Sequence, residues 1–191
     1  MSNITSFYVQ KEPKAMTTPS ILLCNPKFTT NVMLTVKLAS CYGIDQLWFT
    51  GNRLEYSKRM LNVNGNKEVD IINYDRPFDF MPKDAVPVAV EVRENSEVLH
   101  QFEHPENAVY VFGQEDGNIP KQILHLCHRF VVIPSRHCLN LATATATILW
   151  DREYKKYLNG GQDVTTFTTP DEFEHRGYSD FEDENLFVIG E

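Results

Sequence analysis

Two kinds of apolar pattern alternate along this chain: short solid blocks, and longer stretches with helical spacing. "SILLCNP" is a block stopped by Pro26 and predicts a buried strand. In "TTNVMLTVKLASCYG" Val32, Val36 and Ala39 recur at helical spacing, Thr30 or Asn31 is placed to cap, and Gly43 marks the stop, so a helix is expected. "DQLWFTG" predicts a second strand. Residues 51 to 84 are less legible: "YSKRML" reads as a helical turn, "EVDIINY" as a strand and "DRPFDFMPKD" as a loop. Beyond them "AVPVAVEV", "AVYVFG" and "RFVVIP" predict strands. Between these, "NSEVLHQF" predicts a short helix capped by Asn95 or Ser96, and "NIPKQILHLC" a helix with Ile119, Ile123, Leu124 and Cys127 on one face.

The last apolar run, "LATATATILW", alternates with period 2 and taken alone fits a strand. Its continuation to Leu158, the Asn159-Gly160-Gly161 stop and Asn140 as an N-cap favour a helix. Strands and helices thus alternate almost throughout, the pattern of an α/β domain with a largely parallel sheet and helices on both faces. No internal repeat is visible. The expected layout is an N-terminal arm over residues 1–18, one domain over 19–158 and an acidic tail over 159–191.

Composition narrows the class. The chain has 191 residues, 42% hydrophobic and 23% charged, enough for one sizeable core and ordinary for a globular domain. No apolar run approaches the roughly 18 to 20 residues that span a bilayer, and the N-terminus lacks a basic-then-apolar signal layout. A cytoplasmic protein without a membrane partner is expected. Cys24, Cys41, Cys127 and Cys138 show no paired spacing, which predicts reduced thiols. His125-Leu-Cys127-His128 lacks the separated ligand pairs of a zinc site, so no metal is expected.

Net charge is −8, which argues weakly against a nucleic-acid partner until it is divided along the chain. Residues 157–191 hold nine acids against one base, Arg176, and carry the whole excess. Residues 121–156 hold six bases against two acids. The body of the chain can therefore meet a phosphate backbone.

In an open parallel sheet ligands bind beyond the carboxyl ends of the strands. Three loops in such places stand out: "NPKFTTN", "GQEDGN" and "PSRHCLN". None is a G-x-G-x-x-G or Walker loop, and no serine sits in a G-x-S-x-G elbow, which disfavours a Rossmann dehydrogenase, a P-loop enzyme and an α/β-hydrolase.

Together, and in this order, the segments resemble the motifs of the TrmH-like (SpoU) branch of the SPOUT RNA methyltransferases, over roughly residues 20–157. Asn31-Val-Met-Leu-Thr-Val-Lys37, ending in Tyr42-Gly43, is similar to their motif 1, "VFGQEDGNIP" to motif 2 and "VVIPSRHCLNLATATATILWDRE" to motif 3. The resemblance implies an α/β fold with a deep trefoil knot at its C-terminal side, a bent S-adenosylmethionine as cofactor, and a homodimer with the motif 3 helix in the interface. Its Ala/Thr face would pack on the second subunit. The activity implied is methylation of RNA, tRNA or rRNA, at the ribose 2'-oxygen. The alternative is a catalytically impaired SPOUT-fold homodimer that binds RNA or protein.

The same resemblance assigns residues. Asn31, Lys37, Glu115, Cys138 and Asn140 form the catalytic set, while Val90, Gly113, Ile133, Cys138, Leu139 and Asn140 bind the cofactor. Lys37 stands where the family has the arginine proposed to take the ribose proton. Lysine has the lower intrinsic pKa and gives up its proton when desolvated, so it suits a general base, but it lacks the bidentate phosphate grip of arginine. Cys138 replaces the usual serine, and a thiol is the weaker hydrogen-bond partner. The loop from Ile133 to Leu139 is shorter than usual, and Asn118 stands where many relatives have glycine. Lys121, Arg136, Arg152, Lys155 and Lys156 are the expected phosphate-binding bases. Plainer readings stay open beside these: Gly113 as a turn glycine, Asn140 as a helix cap, Ile133 and Leu139 as core, Lys37 as a solvated helix lysine.

Overall fold

The computed structural model describes residues 15–54 and 69–160. Residues 1–14 of the expected arm, the "YSKRML" turn and the tail from residue 161 lie outside them. Seven strands form one sheet: β1 (Ser20–Leu23), β2 (Gln46–Phe49), β3 (Asp70–Asn73), β4 (Val86–Val90), β5 (Glu97–Val98), β6 (Ala108–Phe112) and β7 (Arg129–Val132). They lie in the order β3-β2-β1-β6-β4-β7-β5, every neighbouring pair parallel.

Side chains alternate between the faces of a strand, and here both faces are covered, which is why β1 and β6 read as solid apolar blocks. Ile21, Leu23, Leu47, Phe49, Tyr110 and Phe112 face one layer. Helix α1 (Thr29–Cys41) covers it with Val32, Val36 and Ala39, and helix α3 (Leu141–Leu158) with Leu141, Ile148 and Leu149. Leu22, Trp48, Ala89, Val109 and Val111 face the other layer, under Met16, Ile119, Cys127 and the rings of Tyr74, Phe78 and Phe80. There the covering elements are short: a 3-10 turn at Pro77–Phe80 inside the expected loop, and helix α2 (Lys121–Leu124).

Local readings differ from the structure at three places. Helix α1 starts at Thr29 with Phe28 in the N-cap position and no side-chain cap; Asn31 lies inside the first turn and uses its amide elsewhere. "NSEVLHQF" is not a helix, because Glu97 and Val98 pair with Val131 and Val132 as an edge strand before a 3-10 turn at Leu99–Gln101. "NIPKQILHLC" keeps Ile119 and Cys127 buried, but only four of its residues are helical.

The chain divides into two compact units, one through Leu149 and one from Trp150 onward. In the first, two threonines of α3 return their hydroxyl hydrogens to the helix: Thr145 Oγ1 donates to the Leu141 carbonyl and Thr147 Oγ1 to the Thr143 carbonyl, each at 2.9 Å. Ala142 and Thr145 are buried in the chain's own core, while Thr143 is exposed and Ala144, Ala146 and Thr147 are partly exposed. In the second unit, the surface left open on α3 is Trp150, Tyr154, Tyr157 and Leu158, with Trp150 and Tyr154 stacked at 6.3 Å. The helix ends at Leu158, and Gly160 takes a positive φ of 80°, the left-handed turn that glycine tolerates. Among the described residues no helix is long and apolar enough to cross a membrane.

Candidate functional site

Strand register assembles the site. Leu23 pairs with Phe112, and Val90 pairs with both Phe112 and Val131, so the loops after β1, β4, β6 and β7 leave the sheet side by side. Glu115, in the loop after β6, therefore meets the entry to α1. Its carboxylate accepts the Lys27 amide at 2.9 Å, the Phe28 amide at 3.2 Å and the Asn31 side-chain amide at 3.1 Å. Burial pushes this carboxyl up, but the hydrogen bonds from Asn31, Lys27 and Phe28 outweigh it and hold Glu115 below the usual carboxylate range.

The chain of hydrogen bonds continues. Asn140 Nδ2 donates to Asn31 Oδ1 at 3.0 Å, and Asn140 Oδ1 accepts the amide of Ala142 at 2.9 Å and that of Thr143 at 3.4 Å. Asn140 is thus the N-cap of α3 and a partner of Asn31 at once. Each amide is bracketed by a donor on one side and an acceptor on the other, so both orientations are fixed.

Beside this chain, at the ends of β4, β6 and β7, lies a cavity of about 310 Å³, within the roughly 300–1,000 Å³ range of small-ligand sites. Val90, Gly113, Ile133, Cys138 and Leu139 line it, as does Glu115. Its walls also include Glu91, Gln114 and Ser135, which sequence reading missed, and Asn118, which it noted only as a departure from the motif. Among the described residues that line it there are two carboxylates and no Lys, Arg or His. Gly113 is required by a close approach: a Cβ there would stand 3.0 Å from the Ile119 nitrogen and 3.1 Å from the Asn118 carbonyl carbon. Glu91 holds the same point, accepting the Ile119 amide at 3.1 Å.

A second network braces the loop after β6. Arg53 donates to Gln114 at 2.8 Å and grips both oxygens of Asp116, at 2.9 and 2.8 Å. The Arg53 hydrogen bond holds Asp116 below its ordinary range. Residues 51 to 84 offered no pattern from which to find Arg53, since its role comes from β2 ending beside β1.

The remaining expected residues are not among those that share the cluster's hydrogen bonds or line the cavity. Lys37 is exposed on α1, six residues beyond Asn31, which is about 240° around the helix from it. Lys121 and Arg136 are exposed. In the second unit Lys155 pairs with Asp151 at 2.6 Å and Lys156 with Glu153 at 3.5 Å. Arg152 is only 2% exposed, so its guanidinium is not offered to a phosphate. All four cysteines are free thiols, Cys24 and Cys127 buried, Cys41 and Cys138 exposed. Among the described residues no group of three or more metal-ligating side chains is gathered.

The sequence model of the SpoU rRNA methylase family matches residues 19–150, a span that contains the whole cluster and cavity. The chain belongs to the SpoU rRNA methylase family. No curated protein sequence matches it. Solved structures agree on the fold of this SpoU-family chain. The SpoU methyltransferase AviRb from Streptomyces viridochromogenes matches with a TM-score of 0.64 at 19% identity, over 74% of this chain and 60% of AviRb. The TrmH/SpoU tRNA modifying enzyme of A. aeolicus matches with a TM-score of 0.65 at 18% identity, over 85% and 87% of the two chains. An AdoMet-bound rRNA methyltransferase from Sinorhizobium meliloti gives 0.63 at 17% identity, over 75% and 57%. The chain therefore spans less than two thirds of the length of AviRb.

Proposed function

We propose that this SpoU-family chain binds S-adenosylmethionine in the cavity between the ends of β4, β6 and β7 and methylates the ribose 2'-oxygen of an RNA, tRNA or rRNA. One observation carries the cofactor reading. The cavity walls hold two carboxylates and no basic side chain among the described residues. That electrostatic lining repels phosphate-bearing nucleotides and suits an adenosine ligand that carries a sulfonium cation. The apolar wall of Val90, Ile133, Leu139 and Leu141 suits the face of a purine. Family membership supports the RNA methyltransferase class, and the S. meliloti relative is AdoMet-bound.

When bound, S-adenosylmethionine supplies an already activated methyl group. The chain's own residues would bind and orient. Glu115, kept ionised by three donors, would place a negative charge beside the cation. Asn31 and Asn140, their amides locked, would present fixed polar groups to the substrate ribose, and this positioning would supply much of the acceleration. Cys138 would close the pocket lip. Lys37 would take the hydroxyl proton; as it is exposed on α1, that role requires a second surface to cover it, which a homodimer would supply. The open apolar stripe Trp150, Tyr154, Tyr157 and Leu158 supports such a dimer through α3, and the parallel sheet shared with SpoU structures supports a knotted C-terminal half. Exposed Lys121 and Arg136 would hold phosphates, with Lys155 and Lys156 available once released from their helix partners. Free thiols and an RNA substrate suit the cytoplasm.

A second reading, a homodimer that binds RNA or protein without catalysis, is favoured by the position of Lys37 outside the cluster. Calorimetry with S-adenosylmethionine separates the two. Saturable binding that weakens in Gly113→Val and Asn140→Ala supports the enzyme, and no binding at millimolar cofactor removes it.

A further inference from the structure

We propose that Phe28 and Lys27 form a stacking platform for an unpaired RNA base at the edge of the Glu115–Asn31–Asn140 chain. This deepens the reading above and rests on it: it names the RNA feature that the site takes, a nucleotide whose neighbour is unstacked.

Local preference does not account for Phe28. It occupies the N-cap of α1, where Ser, Thr, Asp or Asn would supply a side-chain acceptor, and it makes no side-chain cap. The residue is 52% exposed. A lone exposed aromatic is ordinary; this one is mounted on the reaction site. Its amide donates to the same Glu115 oxygen that accepts Asn31 Nδ2, and the Lys27 amide binds the other oxygen of that carboxylate. The backbone under the ring is therefore fixed in advance, which lowers the ordering cost of binding.

Charge completes the platform. Lys27 Nζ stands 5.3 Å from the centroid of the Phe28 ring and 3.5 Å from Asp116, with its side chain 48% exposed. A half-exposed aromatic ring with an ammonium over one face is an arrangement that suits single-stranded nucleic acid, the ring stacking on the base and the ammonium turning to its phosphate. A ribose presented to Asn31 and Asn140 would bring the adjoining base within reach of that ring. Bases of an A-form duplex are stacked on each other and are not free to do so. The substrate is accordingly a loop, bulge or end.

The test uses the full chain with a mixed-sequence single-stranded RNA oligonucleotide and the duplex of the same sequence, by fluorescence anisotropy. Sedimentation and calorimetry with S-adenosylmethionine are run in parallel. Wild type should prefer the single strand. Phe28→Ala should weaken it about tenfold with cofactor affinity unchanged, Phe28→Trp should restore it, and Lys27→Ala should flatten the salt dependence. If Phe28→Ala binds the single strand as wild type does, the platform is wrong while the RNA reading stands. If Phe28→Ala instead changes the sedimentation of the protein, the ring is covered by a second copy and the proposal falls. If wild type binds neither RNA, the proposed function fails and takes the platform with it.

Discussion

Asn140 and Asn31, 109 residues apart in sequence, share a hydrogen bond of 3.0 Å. It joins the N-cap of α3 to the first turn of α1, and through Asn31 to Glu115. One direction of donation runs through all three. Asn140→Asp tests it, because a carboxylate keeps the cap but faces the Asn31 carbonyl with an acceptor where a donor is needed. Methyl transfer should fall strongly while the melting temperature changes little. Asn140→Ala should lower both, since loss of the cap alone costs about 1 kcal/mol. Equal activity in the aspartate variant and wild type would show that the link is incidental.

Glu115 makes stability depend on pH in a fixed sense. Its folded-state pKa is lowered, so its contribution is complete above the ordinary carboxylate value of about 4.3 and is lost as the pH falls through the lower folded value. Glu115→Gln should be less stable than wild type at neutral pH, and the gap should close in acid. Urea unfolding of both proteins at neutral pH and at pH 3 measures it; a gap that stays constant contradicts the assignment.

Gly113 is constrained by space rather than by backbone angle. The atoms that a Cβ would meet belong to the backbone of Asn118 and Ile119, and the Ile119 amide is already bonded to Glu91. Gly113→Ala should cost about 1–3 kcal/mol as an overpacked site and weaken cofactor binding with it. Thermal unfolding and calorimetry on the same sample read both, and full affinity at wild-type stability would mean that the loop yields freely.

The thiols should divide by environment. Burial pushes Cys24 and Cys127 up to about 12, so both should resist alkylation in the native protein. Exposed Cys41 and Cys138 should label, and S-adenosylmethionine should protect Cys138, which lines the cavity, but not Cys41. Mass spectrometry of labelled peptides decides; equal labelling of Cys138 with and without cofactor places the ligand elsewhere.

What could be read from the chain beforehand follows from range. Blocks such as "SILL" and "AVYVF" are strands because burial on both faces leaves an unbroken apolar record. Asn140 as a cap was legible for the same reason, a local rule acting over three residues. The α1 cap was not, since its start is set by Glu115, 84 residues beyond Asn31, taking the amides of Lys27 and Phe28. Glu97 and Val98 form a strand only because β7 lies alongside. Glu91 and Arg53 gained their roles from strand order, which no local pattern encodes. The resemblance of the three motifs brought Asn31, Glu115 and Asn140 to notice, and the register of β1 against β6 explains how the first two meet.

Transfer of tritiated methyl from S-adenosylmethionine to RNA, followed by digestion and mass identification of the labelled nucleoside, reaches the central claim most directly. The account predicts a 2'-O-methylated nucleoside, lost in Asn31→Ala that remains folded. Labelled RNA with the methyl group on a base would overturn the ribose assignment. No transfer to any RNA, from a protein that also fails to bind the cofactor, would contradict the account as a whole.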